Sequence, residues 1–217
     1  MIITIANESG GVSKTMLANS LATMRTMTGR SVLLLDNDPQ HPSVGWNYER
    51  EMRGKHPLIS ARSMTGKGMQ PELENLTYRY QDIVIDTESR DSMGSRSALT
   101  AAHVAVIVID LDQLDQLKEE KMLARIATAR LLNPRLRTLV VMTSAERAPS
   151  PEKITIAKEF VSKIPAASLF HSAIHSGSTL RKAFHNGLSI SEVRPADLEA
   201  IDEMQELCHE VFDFGHT

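Results

Sequence analysis

Seven residues, Ser9-Gly10-Gly11-Val12-Ser13-Lys14-Thr15, join a β-branched apolar run, Met1–Ala6, to a stretch with apolar residues at Leu17, Ala18, Leu21, Ala22 and Met24. Strand, glycine-bearing turn and helix in that order can hold a phosphate. Backbone N–H groups at a helix N-terminus are unpaired and point outward, so they can wrap an anion. Glycines let the backbone approach it, Lys14 adds a cation, and the Thr15 hydroxyl can ligate Mg²⁺. The strict pattern G-x-x-x-x-G-K-[ST] asks for glycine at positions 8 and 13, where this chain has Glu8 and Ser13. The plain alternative is an ordinary turn whose Lys14 lies in solvent.

Two further sets of acids fall where the same chemistry would need them. Ser31–Asp36 is a continuous apolar run ending in the carboxylate-rich turn Asp36-Asn37-Asp38-Pro39-Gln40, and Asp82–Thr87 is a second such run ending at Asp86. Strands buried on both faces of a parallel sheet read this way. In open α/β sheets ligands bind at the carboxyl ends of the strands. A loop and two acidic turns on that one rim supply what a Mg-nucleotide needs: a phosphate cradle, metal partners and an acid to orient water. Capping and turn chemistry is the competing account of the three aspartates.

The elements that must position these residues follow from periodicity. Helices are expected over 15–28 (closed by Gly29), 41–53, 71–80, 92–102, 114–132, from Pro151 through Val161, 179–186 and 195–214. Strands are expected over 31–36, 82–87, 103–109, 136–142 and 167–170, and a loop over 63–70. In the 114–132 helix, Leu114, Leu117, Met122, Ile126, Ala129 and Leu132 can share one side. Alternating strands and helices predict a three-layer α/β fold, a doubly wound and mostly parallel sheet with helices on both faces. With no repeat or linker to split it, the chain reads as a single domain over 1–217.

Composition fits that reading. The chain has 217 residues, 41% hydrophobic and 24% charged, with aromatics at only 4%, so the core must be aliphatic and methionine-filled. A net charge of −3 advertises no nucleic-acid or membrane partner. One cysteine, Cys208, can build neither a disulfide framework nor a cysteine metal site within the chain. No apolar run approaches the roughly twenty residues of a membrane span. A complete cytoplasmic protein is expected.

Taken together, the pieces resemble the ParA/MinD family of deviant Walker ATPases, closest to the small ParF-like plasmid-partition members. The family loop K-G-G-x-G-K-T stands here as Ser9–Thr15, and its D-x-D-P-Q motif as Asp36–Gln40. The strand ending in Asp-Thr stands as Ile83–Thr87. Leu114-Asp115 resembles a segment bordering the family's dimer interface, and Phe170–Ile174 with Leu180–Ala183 resembles the ParF-like C-terminal segment. The resemblance implies that Gly10, Gly11, Val12, Ser13, Lys14, Thr15 and Met16 bind ATP or ADP. It implies Mg²⁺ held by Thr15, Asp36 and Asp86, and catalysis by Lys14 with Asp38 orienting the attacking water. It further implies an ATP-dependent homodimer, a DNA-bound adaptor of the ParB or ParG kind, nonspecific DNA binding that would associate the protein with the nucleoid, and no membrane partner.

The departures carry their own expectation. The signature lysine that crosses the family's dimer is Ser9, the glycine before Lys14 is Ser13, and the second threonine of the loop is Met16. Glu8 adds a carboxylate near the anion site. These changes predict low or absent hydrolysis, and they motivate an alternative, a catalytically degenerate P-loop adaptor acting through partner contacts in plasmid maintenance or transfer. Lys153, Lys158, Lys163, Arg181, Lys182 and Arg194 give the last third a basic tilt that could meet DNA phosphates. His171, His175 and His185 lack metal-helix spacing.

Overall fold

A computed structural model describes residues 1–66 and 69–212. In chain order the elements are β1 (Ile2–Ala6), α1 (Val12–Met27), β2 (Val32–Asn37), α2 (Pro42–Met52), β3 (Ser60–Ser63) and α3 (Met69–Thr77). Then come β4 (Asp82–Thr87), α4 (Met93–Ala101), β5 (Val104–Asp110), α5 (Gln116–Leu132), β6 (Arg137–Ser144) and α6 (Pro151–Ser162). The chain ends with β7 (Ala167–His175), α7 (Ser178–Phe184), a 3-10 turn at Ile190–Glu192 and α8 (Leu198–Phe212). The strands form one seven-stranded sheet in the order β3-β2-β4-β1-β5-β6-β7, every pairing parallel. This is the layered P-loop architecture that the alternation of elements predicts.

Alternation along each strand sorts side chains to the two faces of the sheet. Ile3 and Ile5 of β1 join Leu34, Val84, Val106 and Val141 beneath α1, α2, α7 and α8. Ile2 and Ala6 face the other way, toward cores capped by α3 and by α4, α5 and α6. Because strands β1, β2, β4 and β5 are buried along their whole length, their carboxyl ends are fixed points from which the loops project.

Four expectations need correction. Ser60–Ser63 forms β3, an edge strand; its largely exposed residues carry no apolar alternation to reveal it. The last strand runs on to His175, past an irregularity in its pairing with β6 between Val140 and Met142. Helix α3 begins at Met69, before Pro71, because proline in a first turn gives up no helical hydrogen bond. On α5, Met122, Ile126 and Ala129 are buried, but Leu117 and Leu132 are 60% and 69% exposed. Residues 67 and 68 of the expected loop, and 213 and 214 of the expected last helix, lie outside the described residues.

Candidate functional site

The loop between β1 and α1 has the backbone of an anion cradle. Gly11 is the N-cap of α1 with φ 144°, a conformation L side chains rarely adopt, and no side chain caps the helix. A Cβ at Gly10 would meet nothing within 4 Å, so the approach to the first-turn amides is open. No acid sits in that first turn, which leaves the positive end of the helix dipole uncompensated.

Beneath it lies a compact polar cluster. The β2–β4 register sets Asp36 directly beside Asp86. Lys14 Nζ donates to Asp86 Oδ1 at 2.7 Å, with Lys14 2% and Asp86 0% exposed. Ser43 Oγ lies 2.8 Å from Asp86 Oδ2 and 2.7 Å from the Asn19 side-chain oxygen. One hydroxyl proton cannot serve two acceptors, and Asn19 Nδ2 is left without a partner. Turning the Asn19 amide resolves both: its NH₂ then donates to Ser43 Oγ, which donates to Asp86.

Asp36 is fully buried. Its carboxylate accepts the Asp38 N–H at 3.1 Å and the Val44 N–H at 2.9 Å. Burial raises its pKa to about 6, and the neighbouring Asp86 charge pushes the same way against these amide bonds. Asp38 lies further out, with Oδ1 accepting the Gln40 N–H at 2.9 Å. Gly10, Gly11, Val12, Lys14, Thr15 and Asp38 line a cavity of about 450 Å³ together with Glu88, Ser89 and Arg90. The structure therefore gathers Lys14, Thr15 and Asp38 around one space, and Lys14 links that space to the buried Asp86. Ser13 and Met16 are buried, and Met16 packs into the core under α1.

Three participants, Ser43, Asn19 and Arg125, carried no readable signal. Ser43 and Asn19 are buried polar residues on two helices, and only the fold brings them to Asp86. Glu8 forms an ion pair with Arg125 of α5, drawing its carboxylate away from the cradle. Elsewhere, Asp115 is the N-cap of α5, accepting from the Leu117 and Lys118 amides. Lys153 is paired with Asp112 at 3.0 Å and Arg181 donates to the Ser176 carbonyl, so those two charges of the basic tilt are engaged. His171 lies 3.0 Å from Glu206. Among the described residues no three His, Cys, Asp or Glu side chains form a metal cage, and no helix is long and apolar enough to cross a membrane.

A seven-stranded parallel sheet with a glycine-capped helix and acids at neighbouring strand ends defines a P-loop α/β domain. More narrowly, residues 3–212 match the model of the CobQ/CobB/MinD/ParA nucleotide-binding domain, and the chain belongs to that family. It is 27% identical over 169 residues to the chromosome-partitioning ATPase Soj of Thermus thermophilus, covering 65% of this chain and 68% of that one. A plasmid partition protein from Borrelia burgdorferi shares the fold at a TM-score of 0.66 and 19% identity, over 98% of this chain and 97% of that one. Cobyrinic acid a,c-diamide synthase from Mycobacterium smegmatis, solved with an ATP analogue and magnesium, superposes with a TM-score of 0.75 at 16% identity, over 100% of this chain and 95% of that one.

Proposed function

We propose that this chain is a ParA-like nucleotide-dependent switch, a single domain that binds Mg-ATP, pairs with a second copy when ATP is bound, and positions or partitions the DNA of a plasmid or conjugative element. The observation that carries the reading is the convergence of Lys14, Thr15 and Asp38 on one cavity, with Lys14 paired to the buried Asp86 that lies in register beside Asp36. The donor set fits the ligand. Thr15, Asp36 and Asp86 offer hard oxygens, as Mg²⁺ prefers, and Mg²⁺ usually takes its remaining positions from water and phosphate. The first-turn amides of α1 and the Lys14 ammonium would meet the phosphates. Bound Mg²⁺ would neutralise developing phosphate charge.

On this reading Lys14 changes partner. Without nucleotide it neutralises Asp86; with nucleotide it turns to the phosphates, leaving Asp86 held by Ser43 and free to support the metal. Asp38, at the outer wall, is placed to orient a water. Ser9 brings no charge across to a partner copy, so turnover is expected to be slow. A DNA-bound adaptor is the expected partner, with nonspecific DNA contact through the basic last third.

Calorimetry with ATP, with and without Mg²⁺, on wild type and Lys14→Ala, combined with sizing, tests the proposal. Saturable Mg-dependent binding lost in Lys14→Ala and a nucleotide-dependent dimer are expected. A monomer unchanged by Mg-ATP overturns the switch. The uncharged Ser9 favours a second reading, a P-loop adaptor without turnover; robust hydrolysis abolished by Asp38→Ala eliminates it.

A further inference from the structure

Behind the phosphate loop, helices α4 and α5 are separated by a cavity of about 790 Å³. It is a different space from the nucleotide cleft, although Ser89 and Arg90 border both. Five cations line it, Arg90, Arg96, Lys118, Lys121 and Arg125, against two acids, Glu8 and Asp91. In a chain of net charge −3, that concentration of one sign calls for an anion. The cations cluster toward the starts of the two helices. The far end is walled by Thr100, Thr128, Ala129 and Leu132.

The charge is only partly spent inside the protein. Arg90 and Lys121 make no ion pair with any described residue. Lys118 reaches Asp115 only at 3.8 Å. Arg96 is held by Asp91 at 2.5 Å. Arg125 is 6% exposed; one nitrogen meets Glu8, while Nε and Nη2 have no hydrogen-bond partner, and Asp91 stands 3.8 Å from Nε. Leaving guanidinium donors buried and unbonded is costly, and an oxyanion offers the bidentate geometry they fit. Asp91 is the internal counter-ion the two arginines share: a ligand oxyanion that displaces it reaches Arg125 and Arg96 together.

We infer that the α4–α5 cavity is a second anion site, taking a small molecule with one or more phosphate or carboxylate groups seated among Arg90, Lys118, Lys121 and Arg125 and a less polar body running toward Ala129 and Leu132. The volume lies within the roughly 300–1,000 Å³ of small-molecule sites. A nucleic-acid backbone is the poorer occupant. Its phosphates are met by side chains that project from a surface, whereas Arg125 is recessed between two helices. Occupancy would be felt at the phosphate loop, because the ligand shares the Arg125 guanidinium with Glu8.

The test follows the arginine Nε–H resonances by NMR while pyrophosphate, citrate or a short DNA duplex is added to the nucleotide-free protein. Pyrophosphate, citrate or both should shift the Arg90 and Arg125 signals saturably, and the more potent of the two identifies the head group. The response should persist in Lys14→Ala, whose phosphate loop is impaired. It should weaken about tenfold or more in Lys118→Ala/Lys121→Ala, which leaves the Glu8–Arg125 pair intact. No saturable shift with either small anion overturns the inference. So does a response lost in Lys14→Ala yet untouched in the double variant, which would put the anion in the phosphate loop alone. Saturation by the duplex without any response to the small anions would make the groove a nucleic-acid surface and refute a small-molecule site. None of these outcomes depends on whether Mg-ATP binds.

Discussion

Replacing Lys14 by methionine keeps an unbranched side chain, one atom shorter, and removes its charge, which exposes the energetic role of the buried pair. Lys14 Nζ and Asp86 Oδ1 are 2.7 Å apart with both side chains almost wholly out of water. Removing one partner of such a pair leaves an uncompensated charge and costs about 3–5 kcal/mol. In Lys14→Met the survivor is Asp86, at 0% exposure and beside Asp36, so relief by solvent is closed to it. Adding Asp86→Asn removes that charge, and the carboxamide oxygen can still accept from Ser43. The double variant should therefore recover to within about 1–2 kcal/mol of wild type. Asp86→Asn alone should cost less than Lys14→Met, because the ammonium can turn into the cavity. Urea unfolding of the four proteins, without nucleotide and with chelator to remove ligand linkage, gives the coupling from the cycle. A Lys14→Met cost below about 1 kcal/mol, or no recovery on adding Asp86→Asn, would show that Lys14 does not neutralise Asp86 in solution.

Other positions make equally sharp demands. Asp82 is fully buried; burial opposes its ionisation, but the Arg25 hydrogen bond, Arg30 and the N-terminus outweigh it and hold its carboxyl below the usual value of 3.8. Its contribution is present above that value and lost as pH falls through the lower, folded-state value. Asp82→Asn should thus cost about 2 kcal/mol at neutral pH, and the gap to wild type should close on acidification below 3.8; a gap independent of pH would refute the assignment. Gly11→Ala, at φ 144°, should lower the melting temperature by several degrees while Gly10→Ala, whose added Cβ meets nothing within 4 Å, leaves it nearly unchanged; equal effects would argue against the strained loop geometry. At Gly187, with φ 71°, an added Cβ would stand 2.5 Å from the Arg50 backbone nitrogen, so Gly187→Ala should destabilise by at least about 2 kcal/mol in chemical unfolding. Ser9→Lys should raise ATP turnover about tenfold or more if the missing charge limits it; an unchanged rate in a phosphate-release assay counts against that cause.

The buried strands were legible because parallel strands covered on both faces write themselves as unbroken aliphatic runs, as in Val32–Leu35 and Ile83–Ile85. The aspartates closing those runs could be placed on one rim from sequence alone. Their pairing in register could not, since nothing local fixes how β2 slides along β4. Strand β3 escaped because an edge strand of Ser, Ala, Arg and Ser needs no apolar signature. Leu117 and Leu132 misled for the opposite reason: their spacing fits a buried helical stripe, but the stripe that meets the sheet is narrower than the apolar face of α5. Ser43, Asn19 and Arg125 act through long-range contacts, across 43 positions for Ser43–Asp86 and 117 for Arg125–Glu8, which no window of sequence can contain.

The departures from the family loop look different once their contacts are known. Met16 fills aliphatic core under α1, so its side chain packs the fold and offers no donor to a phosphate. Glu8, the change most threatening to an anion, is neutralised by Arg125. A paired carboxylate repels a phosphate far less than a free one. Ser13 is buried within the first turn of α1 and does not close the open approach at Gly10. What remains uncompensated is Ser9. It is half-buried, with its carbonyl accepting from Ser89 Oγ at 3.0 Å, and it offers no charge to a partner copy. On the proposed reading binding and turnover are therefore separable: Gly11, Lys14 and Thr15 still line the cavity, while Ser9 lacks the charge that the resemblance assigns to the family's lysine.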